Sequence, residues 1–261
     1  MDLNTITPLI LTFNEEPNIG RVLAKLTWAK KVVVVDSGST DRTIEIIQSF
    51  VNTEIHTRKF DSHAVQWNYG LKKCGIESEW MLGMDADYVL TDELVDEIRN
   101  LVVAEDINGY FISFRYAVLG KVLSGTLYPP LALLYRRITG EYFQDGHAHR
   151  LVPNGKYLRL SAKIIHDDQK ALSRWLPTQL RYARLEADLL HATPIGELSM
   201  RDRIRRWKIL APWLAPMYYL IVQGGWKDGW PGMYYALQRL IAESLLSLAL
   251  IERELQSGHE T

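Results

Sequence analysis

The sequence has little of what marks several protein classes. Cys74 is the only cysteine among 261 residues, so internal disulfides are excluded and a reducing cytosol is expected. No run of about eighteen apolar residues supports a simple membrane span. The first residues, Met1-Asp2-Leu3-Asn4, do not resemble a signal peptide. The formal net charge is −1, which gives no reason to expect a nucleic-acid partner.

Two nucleotide-binding motifs are also missing. No G-x-G-x-x-G follows the first predicted strand, which disfavours a dinucleotide-binding oxidoreductase. No G-x-x-x-x-G-K-[ST] occurs, which argues against a P-loop NTPase. Apolar residues nevertheless make up 47% of the chain, which is enough to bury a full core.

The pattern of apolar residues predicts an α/β fold with a Rossmann-like, mostly parallel sheet flanked by helices. Strands predicted at 6–13, 31–36, 54–56 and 80–84 alternate with helices over residues 5–105. Further strands follow, and from residue 172 the pattern is helical. We expect one domain over 1–170, divided into two halves (1–105 and 106–170), and a helical extension over 171–261.

Polar residues cluster where the predicted strands end, and the carboxyl ends of parallel strands face one crevice. Thr12–Glu15 follow the first strand and Asp36–Asp41 follow the second. Gln66–Tyr69 lie on a helix, and Asp85-Ala86-Asp87 follows the fourth strand. Two carboxylates one residue apart at a buried strand end are costly unless a cation pairs with them, and hard oxygen ligands suit Mg²⁺ or Mn²⁺. The alternative is an ordinary surface turn, because Asp-x-Asp is common.

The order and spacing of these clusters resemble glycosyltransferase family 2. The resemblance runs over residues 8–90, through Leu11–Glu16, Val33–Thr43, Gln66–Leu71 and Met84–Asp87. Within the family, the chain resembles bacterial lipopolysaccharide-core and related envelope-glycan transferases. The resemblance implies the GT-A fold and transfer of a sugar from a nucleotide donor to a lipid-linked or glycan acceptor. Many relatives have a glutamate where this chain has Tyr88.

The resemblance also implies roles for individual residues. Phe13 and Glu15 would lie near the uracil and ribose, Asp36 would hold the base, and Asp87 would bind Mn²⁺ or Mg²⁺ beneath the diphosphate. Asp85 would contact ribose or metal. The other residues assigned to the donor site by the matching motifs are Thr12, Asn14, Ser37, Gly38, Asn68 and Ala86.

The second half of the chain must supply a base for the acceptor hydroxyl. The segment Phe143–Arg150 is rich in candidates, and we favour Asp145, then His147, then His149. The histidines can equally be acceptor-side or structural hydrogen-bonding groups. His166 follows a later apolar stretch and is a candidate metal ligand, and Arg174 is a candidate for neutralising the leaving diphosphate. A structural histidine and a solvated helix face are the respective alternatives.

Residues 201–226 combine a basic cluster with many aromatic and apolar residues, and Pro212 and Pro216 interrupt the helical pattern. Such a segment suits the interface of a membrane, so we expect peripheral contact at the inner face of the cytoplasmic membrane. The alternative is that these helices pack on the catalytic domain or on a second subunit in a homo-oligomer.

These expectations together describe a metal-dependent, inverting hexosyltransferase that uses a nucleotide-diphosphate sugar, with a UDP-sugar favoured. Within the enzyme class, transfer to a polyprenyl phosphate is the alternative. Outside it, the alternative is a non-catalytic nucleotide-sugar-binding or scaffold protein. A nucleotidyltransferase is disfavoured, because Asn14-Glu15-Glu16 is acidic where that class has a glycine-rich, basic loop.

Overall fold

A computed structural model describes residues 1–145, 148–151 and 153–257, with the backbone alone at 144, 145, 148–150 and 257. The chain forms two compact units. The first unit comprises Met1–Val122, Tyr128–Gln144 and His149–Gln169. The second comprises Leu123–Leu127, Asp145–Ala148 and Lys170–Thr261.

The first unit is built on a mixed, mainly parallel sheet with helices beside it. The strands are β1 (Ile6–Thr12), β2 (Val32–Asp36), β3 (Thr53–Thr57), β4 (Trp80–Asp85), β5 (Tyr88–Val89), β6 (Ile107–Val118), β7 (Lys121–Val122), β8 (Leu131–Arg136), β9 (Tyr142–Asp145), β10 (Ala148–Leu151) and β11 (Lys156–His166). The helices between them are α1 (Ile19–Ala24), α2 (Thr43–Gln48), α3 (His63–Lys73) and α4 (Asp92–Arg99).

The strand order is β3-β2-β1-β4-β8-β6-β11-β5, with β7 paired to β6. Strands β3, β2, β1 and β4 are mutually parallel, and β8 joins β4 antiparallel. Strand β11 runs parallel to β6, and β5 pairs antiparallel with the end of β11. Strands β9 and β10 form a separate two-stranded sheet. The predicted α/β architecture is therefore confirmed.

Burial explains the parallel half of the sheet. Strand β2 is buried along its whole length, as expected of an all-apolar, β-branched strand that helices cover on both faces. Helix α3 begins where Ser62 caps it by accepting a hydrogen bond from the Val65 amide at 3.3 Å. Thr91 caps α4 in the same way through the Leu94 amide at 3.2 Å.

The second unit is helical. Its helices are α5 (Leu172–Ala192), α6 (Met200–Arg205), α7 (Ala211–Met217) and α8 (Trp230–Ser257), and a π-helical turn (Tyr218–Val222) continues α7. Helix α8 begins at Trp230 and has Pro231 in its first turn, where proline is tolerated. Among the described residues, none of the helices has both the length and the hydropathy needed to cross a membrane.

The basic cluster of residues 201–208 serves mainly to hold these helices together. Arg205 donates to Glu186 on α5 at 2.8 Å and to Glu243 on α8 at 3.0 Å, and all three side chains are largely buried. Arg206 donates to the carbonyl of Leu190, and Lys208 pairs with Glu254. Arg205 therefore joins three helices through charges withdrawn from water.

Replacing Arg205 tests this network. Arg205→Met removes the cation that the buried carboxylates of Glu186 and Glu243 share, and breaking a buried ion pair from one side costs about 3–5 kcal/mol. We expect the helical unit of this variant to unfold at a clearly lower urea concentration than that of the wild type. The measurement is urea unfolding monitored by circular dichroism.

The matched control is Arg42→Met. Arg42 pairs with Glu45 on the surface of the first unit, where both side chains are exposed and the pair contributes little to stability. An Arg205→Met protein with an unchanged unfolding midpoint would show that the network contributes little to stability.

Candidate functional site

The register of the parallel strands brings three of the polar clusters to one edge of the sheet. Thr12 at the end of β1 pairs with Asp36 at the end of β2, and Leu11 pairs with Asp85 at the end of β4. Because β1 lies between β2 and β4, the loops after these strands are neighbours. This juxtaposition is the one that the sequence predicts.

The Asp36 carboxylate is held within its own loop. It is 1% exposed and accepts hydrogen bonds from the hydroxyl of Thr12 at 3.0 Å and from the amides of Gly38 and Ser39 at 2.8 and 2.9 Å. The Ser39 hydroxyl donates to the same carboxylate at 2.5 Å. Asp36 thereby fixes the turn in which Gly38 adopts a φ of +91°, a conformation that disfavours any other residue. A ligand that contacts Asp36 must share these oxygens.

The loop after β1 is tied to the loop after β2. Asn14 has a left-handed φ of 56°, and its side-chain oxygen accepts from the amides of Thr40 and Asp41 at 2.7 and 3.3 Å. The Glu15 amide donates to the Thr43 hydroxyl at 2.7 Å. Phe13, directly before Asn14, leaves 54% of its surface exposed. The two loops thus form one rigid rim with an aromatic ring open to solvent.

The helix cluster supports the same rim. Gln66 is fully buried, and its amide nitrogen donates to the Ser37 hydroxyl and to the Arg58 carbonyl, both at 3.0 Å. Asn68 faces elsewhere, since its side chain makes a reciprocal pair with the backbone of Tyr142 at 2.8 and 3.0 Å. Arg58, which also bonds Gln66, was missed by sequence reasoning because it belongs to no recognised motif.

The acidic pair lies beside a buried histidine. His166, at the end of β11, places its Nε2 3.2 Å from an Asp87 carboxylate oxygen, and these side chains are only 10% and 14% exposed. Strand β5 creates this contact, because its pairing with β11 sets Tyr88 opposite His166. Ala86, between the aspartates, is buried in the core.

The charges of this group act on one another. Burial, and then the neighbouring Asp87 carboxylate, raise the pKa of Asp85. Burial lowers the pKa of His166, but nearby carboxylates, Asp87 foremost, raise it by more, so that its pKa lies above the ordinary value. A protonated His166 therefore supplies part of the positive charge that two adjacent buried carboxylates require.

Two neighbours of Asp85 were not anticipated from the sequence. The Tyr88 hydroxyl donates a hydrogen bond to the Asp85 carboxylate, and the Tyr88 ring packs edge-on against His166 at 5.2 Å. His63, at the start of α3, lies close enough to lower the pKa of Asp85. Tyr88 is thus a polar member of the group at the position where many relatives have a glutamate.

A buried network joins the loop after β1 to the residues after β11. Asn18 is fully buried and donates to Glu15 at 2.9 Å and to Asp168 at 3.0 Å. Arg21 binds the Asp167 carboxylate at 2.6 Å. Asp167 in turn accepts from the Gly120 amide at 3.1 Å, and its own amide donates to the Asp87 carbonyl at 3.0 Å. The network therefore holds the backbone of Asp87 in place.

The residues fit a divalent cation in chemical type. Asp85 and Asp87 offer oxygen ligands, and His166 Nδ1 is buried with no hydrogen-bond partner among the described residues. In the side-chain positions that the structure describes, no three acidic, histidine or cysteine side chains already form a metal cluster.

The remaining predicted residues are Arg174 and the three candidates for the base. Arg174 is exposed in the first turn of α5, in the second unit. Asp145 and His149 lie on β9 and β10, but their side chains, and all of His147, fall outside the described residues. A cavity of about 390 Å³ lined by residues that include Leu71, Gly75 and Arg137 lies near the start of β4, away from the strand ends that carry the acidic pair.

The sequence is similar to that of known proteins over more of the chain than these residues. The chain is 24% identical over 265 residues to the lipopolysaccharide core biosynthesis glycosyltransferase LpsC of Rhizobium meliloti (strain 1021), covering 95% of this chain and 92% of that protein. It is 31% identical over 106 residues to an uncharacterized glycosyltransferase of Rickettsia bellii (strain RML369-C), covering 40% of this chain and 35% of that protein.

A solved structure is similar in fold. Glucosyl-3-phosphoglycerate synthase from Mycobacterium tuberculosis, in complex with phosphoglyceric acid, aligns with a TM-score of 0.50 at 16% identity. The alignment covers 72% of this chain and 79% of that one. The architecture is that of the GT-A glycosyltransferases.

The family model for glycosyl transferase family 2 matches residues 9–154, which is more than half of the chain and includes each strand-end cluster described above. The resemblance first drawn from residues 8–90 is therefore confirmed. The chain belongs to glycosyl transferase family 2 and is a glycosyltransferase.

Proposed function

We propose that this glycosyltransferase moves a hexose from a UDP-sugar, with inversion, to a lipid-linked or envelope-glycan acceptor. The observation that carries the proposal is the buried pair Asp85 and Asp87, set against His166 at the strand edge where the loops after β1 and β2 meet. The similarity to a lipopolysaccharide core transferase over nearly the whole chain favours an envelope acceptor.

The donor nucleotide would lie against the rim formed by the loops after β1 and β2. Phe13 offers an exposed ring for stacking on a base, and Glu15 lies beside it in the same loop. Asp36, with Thr12, Ser37 and Gly38, holds the backbone of the rim in place. Asn14 and Asn68 would support the donor site indirectly. Asn14 holds the loop after β2, and Asn68 holds strand β9.

A divalent cation, Mn²⁺ or Mg²⁺, would be held by Asp87 and Asp85, with His166 as a further ligand. When bound, the cation neutralises the diphosphate and stabilises it as a leaving group. Without it, the Asp85 and Asp87 carboxylates repel each other, and the imidazole of His166 lies beside Asp87. Arg174 is proposed as an additional positive group for the leaving diphosphate.

The base remains a choice among Asp145, His147 and His149. In an inverting transfer, one of these side chains takes the proton of the acceptor hydroxyl while that hydroxyl attacks the sugar carbon from the face opposite the diphosphate. Asp145 is preferred, with His147 second and His149 third.

Two alternatives are distinguishable from this proposal. A non-catalytic nucleotide-sugar-binding protein would keep its function when the acidic pair is removed. A polyprenyl-phosphate sugar transferase would use a lipid phosphate, with no glycan, as its acceptor. The proposed enzyme works at the cytoplasmic side of the inner membrane, in peripheral contact with it.

Removing the principal metal ligand tests the enzyme proposal. We expect Asp87→Ala to lower turnover of a UDP-sugar by about a thousandfold or more, since a metal supplies several kcal/mol of charge stabilisation. The measurement is release of UDP with Mn²⁺ present, across a panel of nucleotide sugars and envelope-glycan acceptors.

The control for this test is Asp96→Ala, which removes an exposed carboxylate paired with Arg99 on α4. Its turnover should match that of the wild type. An Asp87→Ala enzyme as active as the Asp96→Ala enzyme would favour the non-catalytic alternative.

The base can be identified by comparing three variants. We expect Asp145→Asn to reduce turnover by about a hundredfold or more while the affinity for UDP stays near that of the wild type, because a general base acts only in the chemical step. His147→Ala and His149→Ala should be less affected. A fully active Asp145→Asn beside an inactive His147→Ala or His149→Ala would transfer the role to that histidine.

A further inference from the structure

Helix α7 and the π-helical turn after it bury mostly small residues and expose their large apolar ones. Their buried residues are small or cyclic, namely Ala211, Pro212 and Pro216, together with Tyr219. Their large apolar residues face solvent: Trp213 is 60% exposed and Ile221 is 66% exposed. Leu210, Leu214, Met217, Tyr218 and Val222 are exposed as well. A helix in water normally has its apolar stripe turned inward.

Helix α8 repeats this arrangement near its start. Trp230 is 85% exposed, and Met233, Leu237 and Ile241 follow at helical spacing, all of them exposed. The opposite side of α8 is buried through Tyr235, Ala236 and Leu246. Helices α7 and α8 pack against each other within the helical unit. The outward residues of α7, the π-helical turn and α8 are called the aromatic face below.

The charge of this segment is one-sided. Between residues 203 and 242 the basic side chains are Arg203, Arg205, Arg206, Lys208, Lys227 and Arg239, and Asp228 is the sole acidic one. Asp228 is 7% exposed and accepts hydrogen bonds from Ser124 and Tyr219, so it adds little to the surface charge. Lys227 is exposed beside the Trp226 ring, 5.6 Å from its centroid. The segment that carries the aromatic face therefore has Arg203 and Lys227 as its exposed cations, and no exposed carboxylate between residues 203 and 242.

These properties select one kind of partner. Tryptophan and tyrosine beside lysine and arginine are typical of surfaces that lie at the headgroup level of a bilayer. A second copy of the chain would bring the same exposed cations to both sides of the interface, since a two-fold interface is made of the same surface on each subunit. Many large exposed apolar side chains in one segment are also typical of an interaction surface.

We propose that the aromatic face of α7 and α8 inserts into the interface of an anionic phospholipid bilayer. This inference rests on the proposed function only in that a lipid-linked acceptor would be found there. It differs from the expectation drawn from the sequence, because Arg205, Arg206 and Lys208 are committed to contacts inside the helical unit. Insertion of apolar side chains is thus the main contribution, and Lys227 adds attraction to the headgroups.

Flotation of the full chain with phospholipid vesicles tests this proposal. The wild type should float with vesicles that contain phosphatidylglycerol and should float less with pure phosphatidylcholine. The triple variant Trp213→Ser, Ile221→Ser, Trp230→Ser should partition at least about tenfold less into the anionic vesicles, because three large apolar side chains no longer leave water.

The matched control is Val51→Ser, Val102→Ser, Ile138→Ser. These three residues are 105%, 98% and 83% exposed, and they belong to the first unit, not to the aromatic face. The control should float like the wild type. Circular dichroism and thermal unfolding of both triple variants should match those of the wild type, since no buried side chain is changed.

The proposal fails if the wild type stays in solution with anionic vesicles, or if the aromatic-face variant floats as well as the control. It also fails if light scattering shows a wild-type dimer that the variant loses, because a second copy would then cover the face. Asp87→Ala should float like the wild type, so failure of the proposed chemistry and failure of the membrane surface give different results.

Discussion

The site depends on the electrostatic problem created by Asp85 and Asp87. Two carboxylates at the end of a buried strand repel each other and lose hydration, and both effects raise the pKa of Asp85. The protein meets part of the cost with the imidazole of His166 and the hydroxyl of Tyr88. A divalent cation that arrives with a diphosphate would meet the rest. Binding of a donor and relief of this repulsion are, on this account, one event.

The fold holds that pair in place from two sides. The sheet register sets the end of β4 beside the ends of β1 and β2, so that the donor rim and the carboxylates share an edge. The second support is Arg21, which binds the Asp167 carboxylate, and the Asp167 amide donates to the Asp87 carbonyl. The charged groups are therefore held rigidly before a ligand binds, which lowers the conformational cost of binding.

The sequence predicts the edge of the sheet well, because the all-valine core of β2 and the apolar run before Asp85 define where two strands end. It does not predict how the polar side chains are used there. Asp36 accepts hydrogen bonds within its own turn, and Asn68 binds a backbone 74 residues away. Arg205, read from the sequence as part of a membrane-facing cluster, joins Glu186 and Glu243. The contacts of Asn68 and Arg205 join residues far apart in sequence, and local pattern carries no record of them. Asp145, His147 and His149 stay predictions, since their side chains lie outside the described residues.

The central claim is that the acidic pair binds the donor diphosphate through a divalent cation. Calorimetric titration of UDP into the wild-type protein, with Mn²⁺ and again with a chelator, tests this claim most directly. The account predicts binding with Mn²⁺ that is lost with the chelator, and loss of the Mn²⁺ effect in Asp87→Ala. Equally tight binding of UDP in the presence of the chelator, unchanged in Asp87→Ala, would contradict it.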